Sequence, residues 1–106
     1  MLGLRAEKAQ IYKNQEDIAM KKPYFPSNSV LEEAVLNALK ELGGEATTEQ
    51  ISQKVIEILN LSDEIVQMED ESGLGTKLNY RLRWSRTNLK SRGQIKNIKR
   101  GTWSLD

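Results

Sequence analysis

The 106-residue chain contains neither cysteine nor histidine, which excludes disulfides, thiolate metal sites and the commonest general base. Its size carries one domain with a modest core; no apolar run approaches the ~18–20 residues of a membrane span and no secretory h-region opens the chain, so the cytoplasm is the expected compartment. The net charge of +1 conceals a split: residues 29–75 carry eleven acids and two bases, for −9, whereas residues 76–106 carry nine bases and one acid, for +8.

Residues 1–28 read as an N-terminal arm, partly helical or extended. Leu4, Ile11 and Ile18 recur every seven residues on one helical stripe, and Pro23 and Pro26 then favour extended backbone before them. Met20 is a candidate internal start, which would make the preceding residues an extension or a partner-contacting arm. The domain is expected over 29–106. Ser29 caps a helix whose apolar face comprises Val30, Leu31, Ala34, Val35, Ala38, Leu39 and Leu42. Gly43 and Gly44 end it. Glu45–Thr47 is long enough only for a bridge or a very small strand. Thr47 and Gln50 form a capping-box pair, opening a second helix with Ile51, Val55, Ile58 and Leu59 inward. Ser62 begins the cap of a short third helix carrying Ile65 and Met68, and Glu69–Gly75 is an acidic loop.

Thr76 opens a long helix that runs to about Arg92 and stops at Gly93. Leu78, Leu82, Ser85 and Leu89 form its core stripe, with Asn79, Arg83, Arg86, Thr87 and Lys90 on the far side and Trp84 at the border. Gln94–Ile98 and Thr102–Leu105 flank a Lys99-Arg100-Gly101 turn and make a hairpin. The expected fold is α+β and mainly helical: a winged helix-turn-helix with three to four helices and a C-terminal β-hairpin wing.

A long helix with one apolar and one basic side docks on a core and still enters a major groove ~12 Å wide. Arginine suits guanine, asparagine suits adenine, and Thr87 suits a thymine methyl or a phosphate. A solvated face mixes signs, and nine bases against one acid does not. Lys77, Asn79, Tyr80, Arg83, Arg86, Thr87 and Lys90 on the helix, with Lys96, Lys99 and Arg100 on the wing, are therefore the candidate DNA-binding residues. The wing lysines also suit protection of an edge strand. Arg81 and Arg92 lie nearer the core side, where pairing with the acidic helices is as good an expectation. Tyr80 is expected to be partly exposed and available for stacking, while Trp84 and Trp103 are expected in the core, partnered under the wing. Glu69-Asp70-Glu71 lacks calcium-loop spacing, and Gly73–Lys77 lacks the glycines and preceding strand of a phosphate loop. No catalytic set assembles, so a binder without cofactor or metal is expected.

The run Arg81-Leu82-Arg83-Trp84-Ser85-Arg86-Thr87-Asn88-Leu89-Lys90, followed by Gly93 and the closing Arg100-Gly101-Thr102-Trp103-Ser104-Leu105, resembles the N-terminal winged-helix domain of Mrr-type restriction proteins. The resemblance extends from about Val30 to Leu105. It implies a winged helix that brings a restriction system to DNA, often modified DNA, while a separate nuclease domain cuts. By the same likeness Arg83, Arg86, Thr87 and Lys90 fall in the recognition-helix region. Arg83 stands where the family often has a small residue, and Asn88 where an aromatic is common. The family's nuclease domain is not in this sequence, so a fragment or a detached module is expected. Its partners would be double-stranded DNA and, as a candidate, a separate nuclease or methyltransferase subunit. The HARE-type winged helix of transcription and restriction proteins shares the closing motif. The alternatives are a winged-helix transcriptional regulator or a protein-interaction module that uses the acidic and basic halves.

Overall fold

The computed structural model describes residues 25–106. The Leu4–Ile11–Ile18 stripe, Pro23, the start at Met20 and most of the 1–28 arm lie outside the described residues. Within them the order is α1 (Asn28–Glu41), β1 (Glu45–Thr47), α2 (Thr48–Leu59), α3 (Asp63–Gln67), α4 (Lys77–Ser91), β2 (Ile95–Lys99) and β3 (Thr102–Leu105).

Each helix starts on a hydroxyl that satisfies an orphan backbone N–H of its first turn. Ser27, not Ser29, caps α1, accepting from the Val30 N–H at 3.3 Å. It follows Pro26 in extended conformation and is the first residue able to cap. The earlier start leaves Val30 in the first turn and 42% exposed, off the apolar face on which it was expected. Thr47 and Gln50 form the expected capping box: the Thr47 N–H donates to Gln50 Oε1 at 2.9 Å, and the Gln50 N–H to Thr47 Oγ1 at 3.1 Å. Ser62 caps α3 and Thr76 caps α4. Gly93, at φ +77°, takes the left-handed conformation that ends α4 without a Cβ penalty.

The sheet has the order β1-β3-β2 and is antiparallel throughout. Glu45–Thr47 is thus a true edge strand, paired with Thr102–Ser104. The first hairpin strand lies one residue later than expected, while the second spans Thr102–Leu105 as expected. A register shift between Asn97 and Lys99 bulges β2, and the Asn97 side-chain amide braces the turn by donating to the carbonyls of Lys99 and Thr102, both at 2.8 Å. In β3 the alternation is opposite to a simple half-buried strand: Thr102 and Ser104 are buried while Trp103 and Leu105 are half-buried. A central strand has neighbours on both sides, and the short side chains stand opposite longer ones, Ser104 between Glu45 and Lys96.

The core is Leu31, Ala34, Val35, Ala38 and Leu39 of α1, Ile51 and Val55 of α2, Leu78, Leu82 and Leu89 of α4, and Ala46 and Ile95 of the sheet. The expected α4 stripe, Ser85 included, is buried throughout. This α+β arrangement is compatible with the winged helix-turn-helix expected. No described helix is long and apolar enough to cross a membrane.

Candidate nucleic-acid interface

One side of α4 is committed to the core, and α1 fixes the rotation of the rest. Glu32 of α1 accepts from the Asn88 amide at 3.1 Å and from Arg92 at 2.9 Å. Arg81 donates to Asn28 Oδ1 at 3.1 Å, and its guanidinium lies 5.3 Å from the Phe25 ring centre. Arg81 and Arg92 are therefore tied back to the start of α1 and the segment before it, and only Arg92 reaches an acid. Lys77, half-buried, also sits over Phe25, at 4.7 Å.

With that flank pinned, the opposite side faces outward. Asn79, Tyr80, Arg83, Thr87 and Lys90 are exposed there. Lys96, Lys99 and Arg100 are exposed on the wing. The ion pairs among the described residues are Lys54 with Glu41 and Glu57, and Arg92 with Glu32. None uses a candidate DNA-binding residue. The Thr87 hydroxyl donates back to the Arg83 carbonyl at 3.0 Å, leaving its oxygen and methyl outward.

Two expectations fail, both through the angular position of a residue on α4. Arg86 is only 9% exposed, with its guanidinium 5.7 Å from the Trp103 ring centre. At 100° per residue it lies about 70° from the middle of the core stripe, close enough to be drawn against the sheet. Burial, and then the like charge of Arg83, hold its pKa below the usual arginine value. Trp84 lies about 130° from the stripe on the other flank. It is 51% exposed, outside the core, and meets Tyr80 edge-to-face at 6.4 Å rather than packing with Trp103 under the wing. Tyr80, 45% exposed, is where it was expected. Trp84 is thus a surface residue that the sequence reasoning missed, and the helical angle was the signal that could have found it.

Trp103 instead spans the seam between sheet and helices, donating from Nε1 to Thr48 Oγ1 at 3.3 Å and stacking under Arg86. The Arg86–Trp103 contact turns the Asn79–Arg83–Arg86–Lys90 flank of α4 toward the sheet that carries the wing bases. Two recesses border the outward face. Tyr80, Arg83, Trp84 and Thr87 line an open cleft of about 310 Å³. A groove of about 310 Å³ runs between the 72–76 loop and Asn79, Arg83 and Arg86.

The loop entering α4 is structured by Asp70. Its carboxylate accepts from the Ser72 N–H at 2.9 Å, and the Asp70 N–H donates to the Gly75 carbonyl at 3.0 Å. The hydrogen bonds from Ser72 hold the Asp70 pKa below its ordinary value. Among the described residues, no three side chains of metal-binding type come together.

A family model described as the Mrr N-terminal domain matches residues 30–106. No curated protein and no solved structure matches the chain.

Proposed function

This chain belongs to the Mrr N-terminal domain family, and from that premise we propose that it is a non-catalytic winged-helix module that binds double-stranded DNA for a restriction system. The observation that carries the proposal is the outward array of Arg83, Thr87 and Lys90 on α4 with Lys96, Lys99 and Arg100 on the wing, none of them in an ion pair among the described residues. α4 would enter the major groove, with Asn79 toward base edges and Arg83 beside it. The wing would follow the phosphates, and Lys77 and Tyr80 would lie at the N-terminal end of the contact. Cleavage would fall to a separate nuclease domain or subunit, in the cytoplasm.

Fluorescence anisotropy with a labelled duplex across a salt series tests this. The expected result is a straight fall of log affinity with log salt, the signature of displaced counterions. A flat line would sink the proposal. Incubation of supercoiled DNA with the protein and magnesium or manganese should leave it un-nicked.

A second reading, a docking surface for another protein, is favoured by Trp84 and by Leu74, which is 90% exposed. Sedimentation without DNA tests the case in which that protein is a second copy. Concentration-dependent self-association would favour it, and loss of that association in salt would assign it to the acidic and basic halves rather than to these two apolar side chains.

A further inference from the structure

Arg86 is nine-tenths buried, yet no carboxylate of the described residues lies within ion-pair distance of it. Its Nε is fully buried and has no hydrogen-bond partner among the described residues. An arginine side chain does not shed its proton in a protein, so the charge is retained, and a buried cation without a counter-charge is costly. The Trp103 ring, at 5.7 Å, covers the guanidinium and offsets part of that cost. A ring face supplies no oxygen acceptor, however, and the hydrogen-bonding capacity of Arg86 is left over.

That capacity borders a groove. Arg83 and Arg86 both line the recess beside the 72–76 loop, with Asn79 and Ser72 adding polar groups. Arg83 is near enough for its charge to oppose that of Arg86. Two cations share one recess, and no acid lines it. The recess, about 310 Å³ and partly open to solvent, has room for a tetrahedral oxyanion that keeps part of its hydration.

We propose that this groove is a phosphoryl-oxyanion site, with Arg86 as the buried inner ligand and Arg83 as the outer one, and that one backbone phosphate of the duplex occupies it. The first part stands on the groove alone, and the second rests on the DNA-binding reading above. A planar guanidinium held against Trp103 has little orientational freedom left to lose and suits a two-oxygen contact. Arg86 then sets the register of α4 on the duplex instead of reading a base, the role that phosphate contacts play.

The test uses the full chain labelled with ¹⁵N. The Arg86 Nε–Hε resonance is followed as inorganic phosphate is added, against chloride at matched ionic strength. A saturable downfield movement with phosphate alone is expected, with the affinity weakened several-fold in Arg83→Gln. An Hε resonance that phosphate leaves in place overturns the site. This measurement is made on the wild-type protein, so it holds even if Arg86 variants fail to fold.

A second arm uses duplexes carrying one neutral methylphosphonate at successive positions. At one position the wild-type protein should lose about tenfold in affinity, as one lost charge-assisted contact predicts, and Arg86→Lys should lose much less there. Duplex binding with no such position overturns the backbone-phosphate assignment and leaves DNA binding standing. A phosphate response without any duplex binding removes the DNA reading and leaves a site for free phosphate.

Discussion

Two arginines of α4 should answer the same substitution differently. Arg83 is exposed and forms no ion pair among the described residues, whereas Arg92 is held by Glu32 at 2.9 Å. Arg81 and Arg92 are tied to α1 and Phe25, while Lys77 and Arg86 lie over aromatic rings. Arg83, Lys90, Lys96, Lys99 and Arg100 remain as fully outward bases. With one phosphate neutralised by each, the slope of log affinity against log salt is about −4.5, at about −0.9 per phosphate. A fourfold rise in salt then weakens binding roughly 500-fold. Arg83→Gln should reduce the slope to about −3.6, while Arg92→Gln should leave it near −4.5. The phosphate proposed to sit between Arg86 and Arg83 is the one counted here for Arg83, so it adds nothing to the wild-type slope, and Arg86, still holding it, would place Arg83→Gln between about −3.6 and −4.5. Anisotropy titrations on one duplex, with folding checked by circular dichroism, give all three slopes. An equal change in both variants would refute the division between outward and tied-back bases.

Glu32→Ala should destabilise the fold by about 2 kcal/mol, since it removes two hydrogen bonds to a carboxylate, one from a half-exposed arginine and one from an amide. For a domain of this size that lowers Tm by roughly 8–16 °C in a thermal melt; a shift below about 2 °C would show that the α1–α4 clamp is not a stabilising contact. Trp84→Ala should cost no more than about 0.5 kcal/mol, as an exposed substitution. Trp103→Ala, at the seam between sheet and helices, should cost about 2–4 kcal/mol by denaturant titration. Similar losses in the two variants would contradict the placement of these side chains. Asp70 has a depressed pKa in the folded chain, so its hold on the 70–75 loop is complete above the ordinary carboxyl value and fades as pH falls through the lower, folded value. The Ser72 amide shift should follow that titration and lose it in Asp70→Asn.

The parts of this fold legible in the sequence are those where local chemistry and burial agree. Thr47 with Gln50, Thr76 before a helical stripe and Gly93 after it each specify a boundary by satisfying backbone groups, and the structure keeps all three. The α4 core stripe was equally plain, because four small or aliphatic residues fall within one narrow arc of the helix. The flanks were not. Arg86 is read onto the far side and Trp84 at the border and into the core, whereas they lie about 70° and about 130° from the middle of the stripe. Chemical character is a weak guide within an arc where a long side chain reaches either way. The cap at Ser27 was obscured by a second serine two residues on. The sharing of the sheet was not legible either, since the partner of Glu45–Thr47 lies more than fifty residues away, and a three-residue strand gives no periodicity of its own.

The acidic half of the chain has a specific relation to the basic half. Of its eleven acids, Glu32 forms the one ion pair to a base of residues 76–106 among the described residues, while Glu41 and Glu57 pair with Lys54 inside their own half. Among the described residues the split is therefore not a means of internal neutralisation. Uncompensated charge of opposite sign on the two parts gives the molecule a dipole, and a dipole turns an approaching molecule before contact. A polyanion would draw the α4–wing side inward and push the α1–α2 side away, which favours the productive orientation in each encounter. The one acid spent on α4 sits on its pinned flank, where it fixes the rotation of the helix without lowering the charge of the face that meets the partner. Orientation of the helix and retention of its outward charge are thus served by the same placement of Glu32.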